Sequence, residues 1–450
     1  MLEPTHPDLR RAAAALLALA FALAGTPALA DGRVLSLDDA LRAAQAQQPQ
    51  MRAARAQTRA ASARVGEARA GYLPRVDAQA QYQRSTANFL LSPMMVHTPL
   101  TKGYQANNQL GPGDTVDYLV FGVTATQLIY DFGRVPALIA QGEAGVEASE
   151  ADTRATSQAI ALNVRVAYYG ALAAKQLVQL GEEAVRNQQG HVDQIHRFVD
   201  AGQRTRFDLS SVELNLANAE LALVRARNAL ALAKVRLVAA TGADEPAEFE
   251  IVEPASQDST LDGALADSLE RTAIRRRPEL ARLDALMGAQ RAAGRAARAG
   301  YLPTLTAVAN VAGAKVQGFD AGYDWYVGVG LNWNLFGGML TTRQSEEADA
   351  NVDAAAAQRS SLRQAIRAEI QEQLLAIADA QQRQVVSERA VSTATDRLHQ
   401  AEDRLQTGAG DALDLDDAQV SLVNAKAQSV QARYDLAIAR ARLRRAVGED

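Results

Sequence analysis

Two hydrophobic rhythms divide this chain. Leu209, Leu216, Leu223, Leu230 and Leu237 recur every seventh residue, with Val212, Ala219, Ala226, Ala233 and Ala240 between them. Leu415, Leu422, Ser429, Leu436 and Leu443, interleaved with Ala418, Ala425, Ala432, Ala439 and Ala446, repeat the pattern near the C-terminus. One large and one small layer, held over about five heptads, predict coiled-coil helices with a left-handed supercoil. Elsewhere the period is two. Trp325, Val327, Val329, Leu331, Trp333 and Leu335 alternate with Asp324, Tyr326, Gly328, Gly330, Asn332 and Asn334. Val76, Ala78, Ala80 and Tyr82 oppose Asp77, Gln79, Gln81 and Gln83, and Leu119, Phe121, Val123 and Ala125 share a face. These segments predict strands that are apolar on one side only.

The elements occur twice. Gly71-Tyr72-Leu73-Pro74 returns as Gly300-Tyr301-Leu302-Pro303, an offset of 229 that also relates Pro49 to Pro278. Phe132-Gly133 answers to Phe336-Gly337, Gly202 to Gly408, Asp208-Leu209 to Asp414-Leu415 and Gly242 to Gly448, at offsets of 204 or 206. The first copy therefore carries about 25 extra residues, placed in a long loop from Arg84 to Asp117. No proline falls between Ala137 and Glu245 or after Pro303, which suits long uninterrupted helices. The predicted order in each copy is a first helix (Leu37 to Ala70; Leu261 to Ala299), a strand pair, a very long helix (Ala137 to Ala201; Leu340 to Gln406) and a final helix (Phe207 to Ala240; Ala412 to Val447). The strands are expected near 74–84, 117–132, 303–313 and 323–336. The copies span 31–242 and 261–450, and 243–260, with Pro246 and Pro254 among acids, reads as a linker.

Residues 1–30 read as a secretory signal peptide. Arg10-Arg11 precede an apolar run from Ala12 to Gly25, and Ala28-Leu29-Ala30 supplies the small-residue cleavage site. Beyond it no stretch of about 18 apolar residues appears, so a membrane could be crossed only by strands. The 450 residues carry 47 basic and 52 acidic side chains, a net −5, which leaves no footprint for nucleic acid. The absence of cysteine removes disulfides, thiolate metal sites, Cys nucleophiles and a lipidated cysteine. His6, His97, His191, His196 and His399 are too scattered for a His-based metal centre. No catalytic residue, cofactor or metal is expected. The adjacent carboxylates Glu346-Glu347 and Glu182-Glu183 diverge around their helices and read as solvated faces. Met94, Met95 and His97 read as residues of a surface loop rather than a soft-metal site.

One-sided strands fit either a half-buried soluble sheet or a lipid-facing barrel around water. Two observations favour the barrel. Of 22 aromatic residues, 15 lie within Gly71 to Phe132 and Gly300 to Phe336. Trp325 and Trp333, eight residues apart on the apolar face, are separated by ~27 Å along a strand and ~20 Å along a normal inclined at 45°, the spacing of two aromatic girdles. The opposite face is rich in Gly, Asn and Gln, as a wet lumen requires. Four strands cannot close alone, because barrels begin at about eight, so several chains must assemble. The rival is a soluble periplasmic coiled-coil scaffold or adaptor with a small soluble sheet.

The signal peptide, the tandem copies, the G-Y-L-P openings, the strand ends Leu128-Ile129-Tyr130-Asp131-Phe132-Gly133 and Asn334-Leu335-Phe336-Gly337-Gly338, and the Gly-x5-Asp-Leu hairpins together resemble the TolC family of outer-membrane efflux ducts. The resemblance implies a mostly α fold with a small antiparallel β part: a tandem-repeat, coiled-coil α-barrel protomer that contributes four strands to a trimeric 12-stranded transmembrane β-barrel. It implies a homotrimer in the outer membrane, in contact with its lipid, with a long periplasmic extension. A periplasmic adaptor (membrane fusion) protein and an inner-membrane pump would be its partners. The family serves drug, metal and protein export, type I secretion included.

The long helices end at Gly202 and Gly408, residues suited to a left-handed cap. Thr205 precedes Asp208 by three residues and Asp411 precedes Asp414 by three, both capping-box variants. Capping accounts for Asp411 but not for Asp417, one turn beyond Asp414, where the first copy has Ser211. By resemblance, Asp414 and Asp417 form a cation-attracting ring at a closed periplasmic tip, with Asp208 as a partner acid. Gly410 and Leu405 stand where the family's model member has its closing arginine and tyrosine. Arg204 is the candidate substitute, and Arg433 matches a basic position further along the last helix.

Overall fold

The computed structural model describes residues 34–86, 115–243, 248–254, 263, 265–316, 321–407 and 412–449. The signal-peptide reading, Met94, Met95, His97, Gly408, Gly410 and Asp411 lie outside the described residues. In chain order the elements are β1 (Val34–Leu35), α1 (Leu37–Gln47), α2 (Pro49–Ala70), β2 (Arg75–Thr86), β3 (Thr115–Tyr130), α3 (Arg134–Asp200) and α4 (Arg206–Thr241). The second half holds β4 (Glu250–Ile251), α5 (Ala266–Arg276), α6 (Pro278–Arg298), a 3-10 turn (Ala299–Tyr301), β5 (Thr304–Val316), β6 (Gly322–Asn332), α7 (Leu340–Gln406) and α8 (Ala412–Val447). The protein is mostly helical with a small antiparallel sheet.

Two expected elements are broken. The first helix of each copy splits before its proline, into α1 and α2 and into α5 and α6. A proline pushes the preceding residue out of the helical region, and Gln48 (ψ 122°) and Arg277 (ψ 116°) are both extended. The last strand stops at Asn332, short of 336, where Gly338 and Met339 turn the chain with positive φ (64° and 68°). By contrast α3 begins ahead of Ala137, because Pro136 is tolerated in a first turn. Buried Asp131 supplies the cap, accepting hydrogen bonds from the backbone N–H groups of Gly133 and Val135.

The chain forms two compact units, and each draws on both copies. The sheet unit takes the described residues within 49–159, 263–375 and 442–450; the hairpin unit takes those within 1–48, 160–262 and 376–441. In the sheet unit the two copies repeat their contacts. Arg69 pairs with Glu143 at 2.9 Å and Arg298 with Asp349 at 2.7 Å, positions related by the 229 and 206 offsets. At one further equivalent pair of positions a glycine admits its neighbour, with its role exchanged. A β-carbon at Gly142 would lie 3.2 Å from Val65, and one at Gly294 3.4 Å from Ala348.

In the hairpin unit the heptad seam lies inside. Leu223, Leu237, Val212, Leu415, Leu436, Ala418, Ala425, Ala432 and Ala439 are buried, and the remaining seam positions of α4 are half-buried. Removing such large and small layers from water is the main force holding the helices together. A β-carbon on Gly181 of α3 would lie 3.3 Å from Leu223 of α4, so these backbones approach closely.

The linker contains structure that periodicity could not show. β4 pairs in parallel with β1, Leu35 opposite Ile251. Fully buried Tyr168 donates its hydroxyl to the Val252 carbonyl at 2.6 Å, and burial pushes its pKa up to about 12. Lys175 donates to Ile251 O and Lys234 to Phe249 O, each at 2.8 Å.

Candidate functional site

The sheet runs β2-β3-β5-β6, antiparallel throughout. Its registers align the one-sided strands. Ala78, Val123, Val311 and Trp325 stand in one row, and Val76, Ala125, Ala309 and Val327 in the next. Further along, Leu305 opposes Leu331 and Ala307 opposes Val329. Because side chains alternate across a strand, one face of four strands is apolar through its central rows, with Gln127 and Lys315 among its outer positions; on it Trp325 is 65% and Val327 72% exposed. Phe121 of that face lies across Gly313, where any β-carbon would collide with its ring.

The opposite face carries Asp77, Gln79, Gln81, Thr124, Asn310, Asp324, Gly328 and Gly330. There Asn310 donates to the Thr124 hydroxyl at 2.7 Å. β2 and β6 are the two ends of the sheet and, among the described residues, have no strand on their outer side. Trp333 lies just beyond β6, and its indole N–H donates to Tyr301 O at 3.0 Å, which ties the end of β6 to the turn that opens β5.

At the helical hairpin, α3 ends on Gly202 (φ 74°), with Gln203 N–H bonded to Phe198 O at 2.8 Å and Gly202 N–H to Val199 O at 2.9 Å. This closing pair of bonds satisfies carbonyls the helix leaves open. Thr205 and Asp208 then form a full capping box: Asp208 N–H donates to the Thr205 hydroxyl, and Thr205 N–H to the Asp208 carboxylate. The hydrogen bonds from the Thr205 backbone and hydroxyl hold the Asp208 carboxyl below the usual range, and the nearby charge of Arg204 acts in the same direction.

Asp414 and Asp417 are exposed, and among the described residues neither carboxylate has a hydrogen bond or ion pair. Asp416 between them points the other way. It accepts from Gln188 of α3 at 3.0 Å and from Asn215 of α4. Buried Gln188 also bonds Gln419 at 3.1 Å, and Gln419 meets His191. Desolvation lowers the His191 pKa, while the charges of Asp416 and Glu402 pull it back up. Arg433 is not brought to this cluster; it pairs with Glu253 in the segment that holds β4. Gln419, Lys426 and Arg433 thus form a seven-residue polar stripe on α8, with Lys426 pairing Glu183 at 3.1 Å.

An amphipathic sheet with open edges and a heptad-patterned hairpin match what comparison finds. Residues 40–243 and 269–449 fit the family described as outer membrane efflux protein. This chain belongs to that family. The fusaric acid resistance protein FusA of Burkholderia cepacia is 26% identical over 328 residues, covering 70% of this chain and 58% of that protein. The probable efflux pump outer membrane protein TtgC of Pseudomonas putida is 26% identical over 189 residues, covering 42% of this chain and 38% of that protein. The matched region therefore spans less than two thirds of these curated relatives. The crystal structure of CusC shares the fold with a TM-score of 0.75 at 17% identity, covering 92% of each chain. The CmeC outer membrane channel of Campylobacter jejuni does so with a TM-score of 0.73 at 17% identity, covering 92% of this chain and 85% of that one.

The family is one of efflux proteins of the outer membrane, not of enzymes. Membership sets aside the soluble-scaffold reading. The polar cluster of Gln188, His191, Asp416 and Gln419 escaped sequence reasoning, although the seven-residue spacing of Gln419, Lys426 and Arg433 beside the Leu/Ala seam was a usable sign of a second contact stripe.

Proposed function

We propose that three copies of this chain close into one duct, a 12-stranded barrel in the outer membrane continued by a helical barrel. The duct receives its cargo from an inner-membrane pump through a periplasmic adaptor. The observation that carries this reading is the sheet: mainly apolar on one face, richer in polar residues on the other, and, among the described residues, unpaired at β2 and β6. Lipid tolerates no open strand edge, and four strands are too few to close. The girdle role of Trp325 and Trp333 belongs to the same reading.

The hairpin unit supports it separately. A second stripe on α4, Phe207, Leu214, Leu221 and Val235, is exposed along the helix. At the equivalent positions of α8, Leu413 and Val420 are exposed as well, Ala427 is half-buried and Ala441 is buried. Both hairpin helices thus present apolar side chains near their starts, which neighbouring chains would cover.

Export begins with removal of residues 1–30, and 243–260 joins the two copies. The ring of Asp414 and Asp417 makes the closed tip cation-selective, while Asp208 and Gly202 shape the hairpin that carries it; Gly408 is the matching glycine of the second hairpin. Relatives named for fusaric acid resistance and for efflux pumps support small organic cargo over polypeptide secretion. Purified protein in planar bilayers should conduct ions, and deleting its gene should sensitise the cell to small aromatic toxicants. A protein that never raises membrane conductance contradicts the duct.

A further inference from the structure

The internal repeat specifies how one copy meets the next. α3 and α7 each have 67 residues, α4 and α8 each have 36, and both pairs are related by the offset of 206. Inside the chain α3 of the first copy touches α8 of the second, through Glu183 with Lys426, Gln188 with Asp416 and Gln419, and His191 with Gln419. Applying the repeat once more sets α7 of one chain against α4 of a neighbour.

Gln188 with Asp416 becomes Ala394 with Ser210 and loses its polar contact, but the two outer pairs are chemically matched. Glu183 becomes Arg389, and its partner Lys426 becomes Glu220. His191 becomes Arg397, and its partner Gln419 becomes Glu213. The charges at the first pair are reversed and the second pair gains opposite charges, so complementarity survives where identity does not. All four side chains are exposed, and among the described residues none has an ion pair. Arg389 and Arg397 flank an open groove with Val386 and Ala394 of α7 and Ser421 of α8. The first-copy counterparts of that groove, Glu183, Gln188, His191 and Asn215, are the residues that receive α8.

The sheet obeys the same rule. The hairpin registers make Arg75 equivalent to Thr304 and Thr126 to Asn332. The register between β3 and β5, with Val123 opposite Val311 and Ala125 opposite Ala309, then maps to Val329 opposite Tyr82 and Leu331 opposite Ala80 across two chains. Both pairs keep apolar residues on the apolar face. A one-residue slip would not.

We infer that neighbouring copies meet head to tail in this register, with Arg389 and Arg397 of α7 paired to Glu220 and Glu213 of the next chain's α4, and β6 paired to its β2 through Val329 and Tyr82. The inference rests on the proposed multi-chain duct and fixes its register residue by residue. It identifies the acidic stripe Glu213 and Glu220 as the partner of the basic groove.

The chain has no cysteine, so paired cysteines report cleanly. Full-length protein extracted in mild detergent would carry Arg397→Cys with Glu213→Cys, or Val329→Cys with Tyr82→Cys, and be oxidised. Glu183→Cys with Lys426→Cys, a link within one chain, controls for correct folding. The expected result is bands of two and three linked chains from both test pairs, and none from the control. Reversing Arg389 to Glu should shorten the oligomer's lifetime in detergent severalfold, and adding Glu220→Arg should restore it. Efficient linking only at a shifted position, such as Arg389→Cys with Glu213→Cys, would overturn the register while leaving the duct intact. A protein that sediments as a monomer and links at no position would overturn the duct itself.

Discussion

Arg277 donates from Nε to the carbonyl of Ala446 at 2.9 Å, closing the end of α8 from the break between α5 and α6. Gln48, its repeat equivalent, donates from Nε2 to Ala240 O at 3.0 Å and closes the end of α4 in the same way. One copy performs this with a neutral amide and the other with a buried guanidinium, which is then obliged to find acids. Glu369 and Glu279 supply them, and Arg445 completes the box.

That difference predicts unequal costs. Arg277→Ala removes the charged hydrogen bonds of a buried guanidinium, leaves half-buried Glu279 and Glu369 to Arg445, and should destabilise the sheet unit by about 2–3 kcal/mol. Gln48→Ala removes only neutral hydrogen bonds and should cost the hairpin unit about 1–2 kcal/mol. Denaturant unfolding of the two variants, followed by helical circular dichroism, measures the contrast.

Gly242, just past α4, has φ 70°, and a β-carbon there would lie 2.7 Å from Gln48 Cα. Gly242→Ala should cost about 1–3 kcal/mol through left-handed strain and collision. Gly190, within α3 and open to solvent on that side, should accept alanine without loss. Thermal denaturation of the two variants separates them.

Acidification should loosen the cluster beside the tip. Burial holds the folded-state pKa of His191 below its ordinary 6.5, against the opposing pull of Asp416 on α8 and Glu402 on α7. Its contribution is therefore complete above about pH 6.5 and declines as pH falls from there towards the folded value. Hydrogen exchange over 186–196 and 412–422 should quicken below pH 6.5, and His191→Gln should flatten that dependence.

Asp414 and Asp417 should govern ion choice without holding the fold. Replacing both by alanine should reduce cation selectivity and block by multivalent cations in planar bilayers, with unfolding unchanged. Asp208→Ala should do the reverse, costing about 0.3–1 kcal/mol of helix stability through the lost first-turn carboxylate of the capping box. Selectivity unaltered in the double variant would remove the ring from the account.

The long-range plan of the chain could be read because it is periodic. The heptads of α4 and α8 and the alternation in β6 each extend over many residues, so noise averages out. The breaks at Gln48 and Arg277 were missed although Pro49 and Pro278 had been matched, because the surrounding alanine-rich pattern continues through them. β4 was missed because two residues carry no period; it is held by Tyr168, Lys175 and Lys234, which are distant in sequence. The site was legible only in outline. Gly202, Thr205 and Asp208 act locally and announce themselves, whereas Asp416, Gln188 and His191 acquire a role only when α3 and α8 meet. Arg433 shows the same limit: its partner, Glu253, lies 180 residues away.

The stoichiometry of the detergent-extracted protein tests the central claim most directly, because open sheet edges at β2 and β6 demand neighbours. Native mass spectrometry should find complexes of three chains as the dominant species. A predominantly monomeric population would contradict a barrel built by several chains.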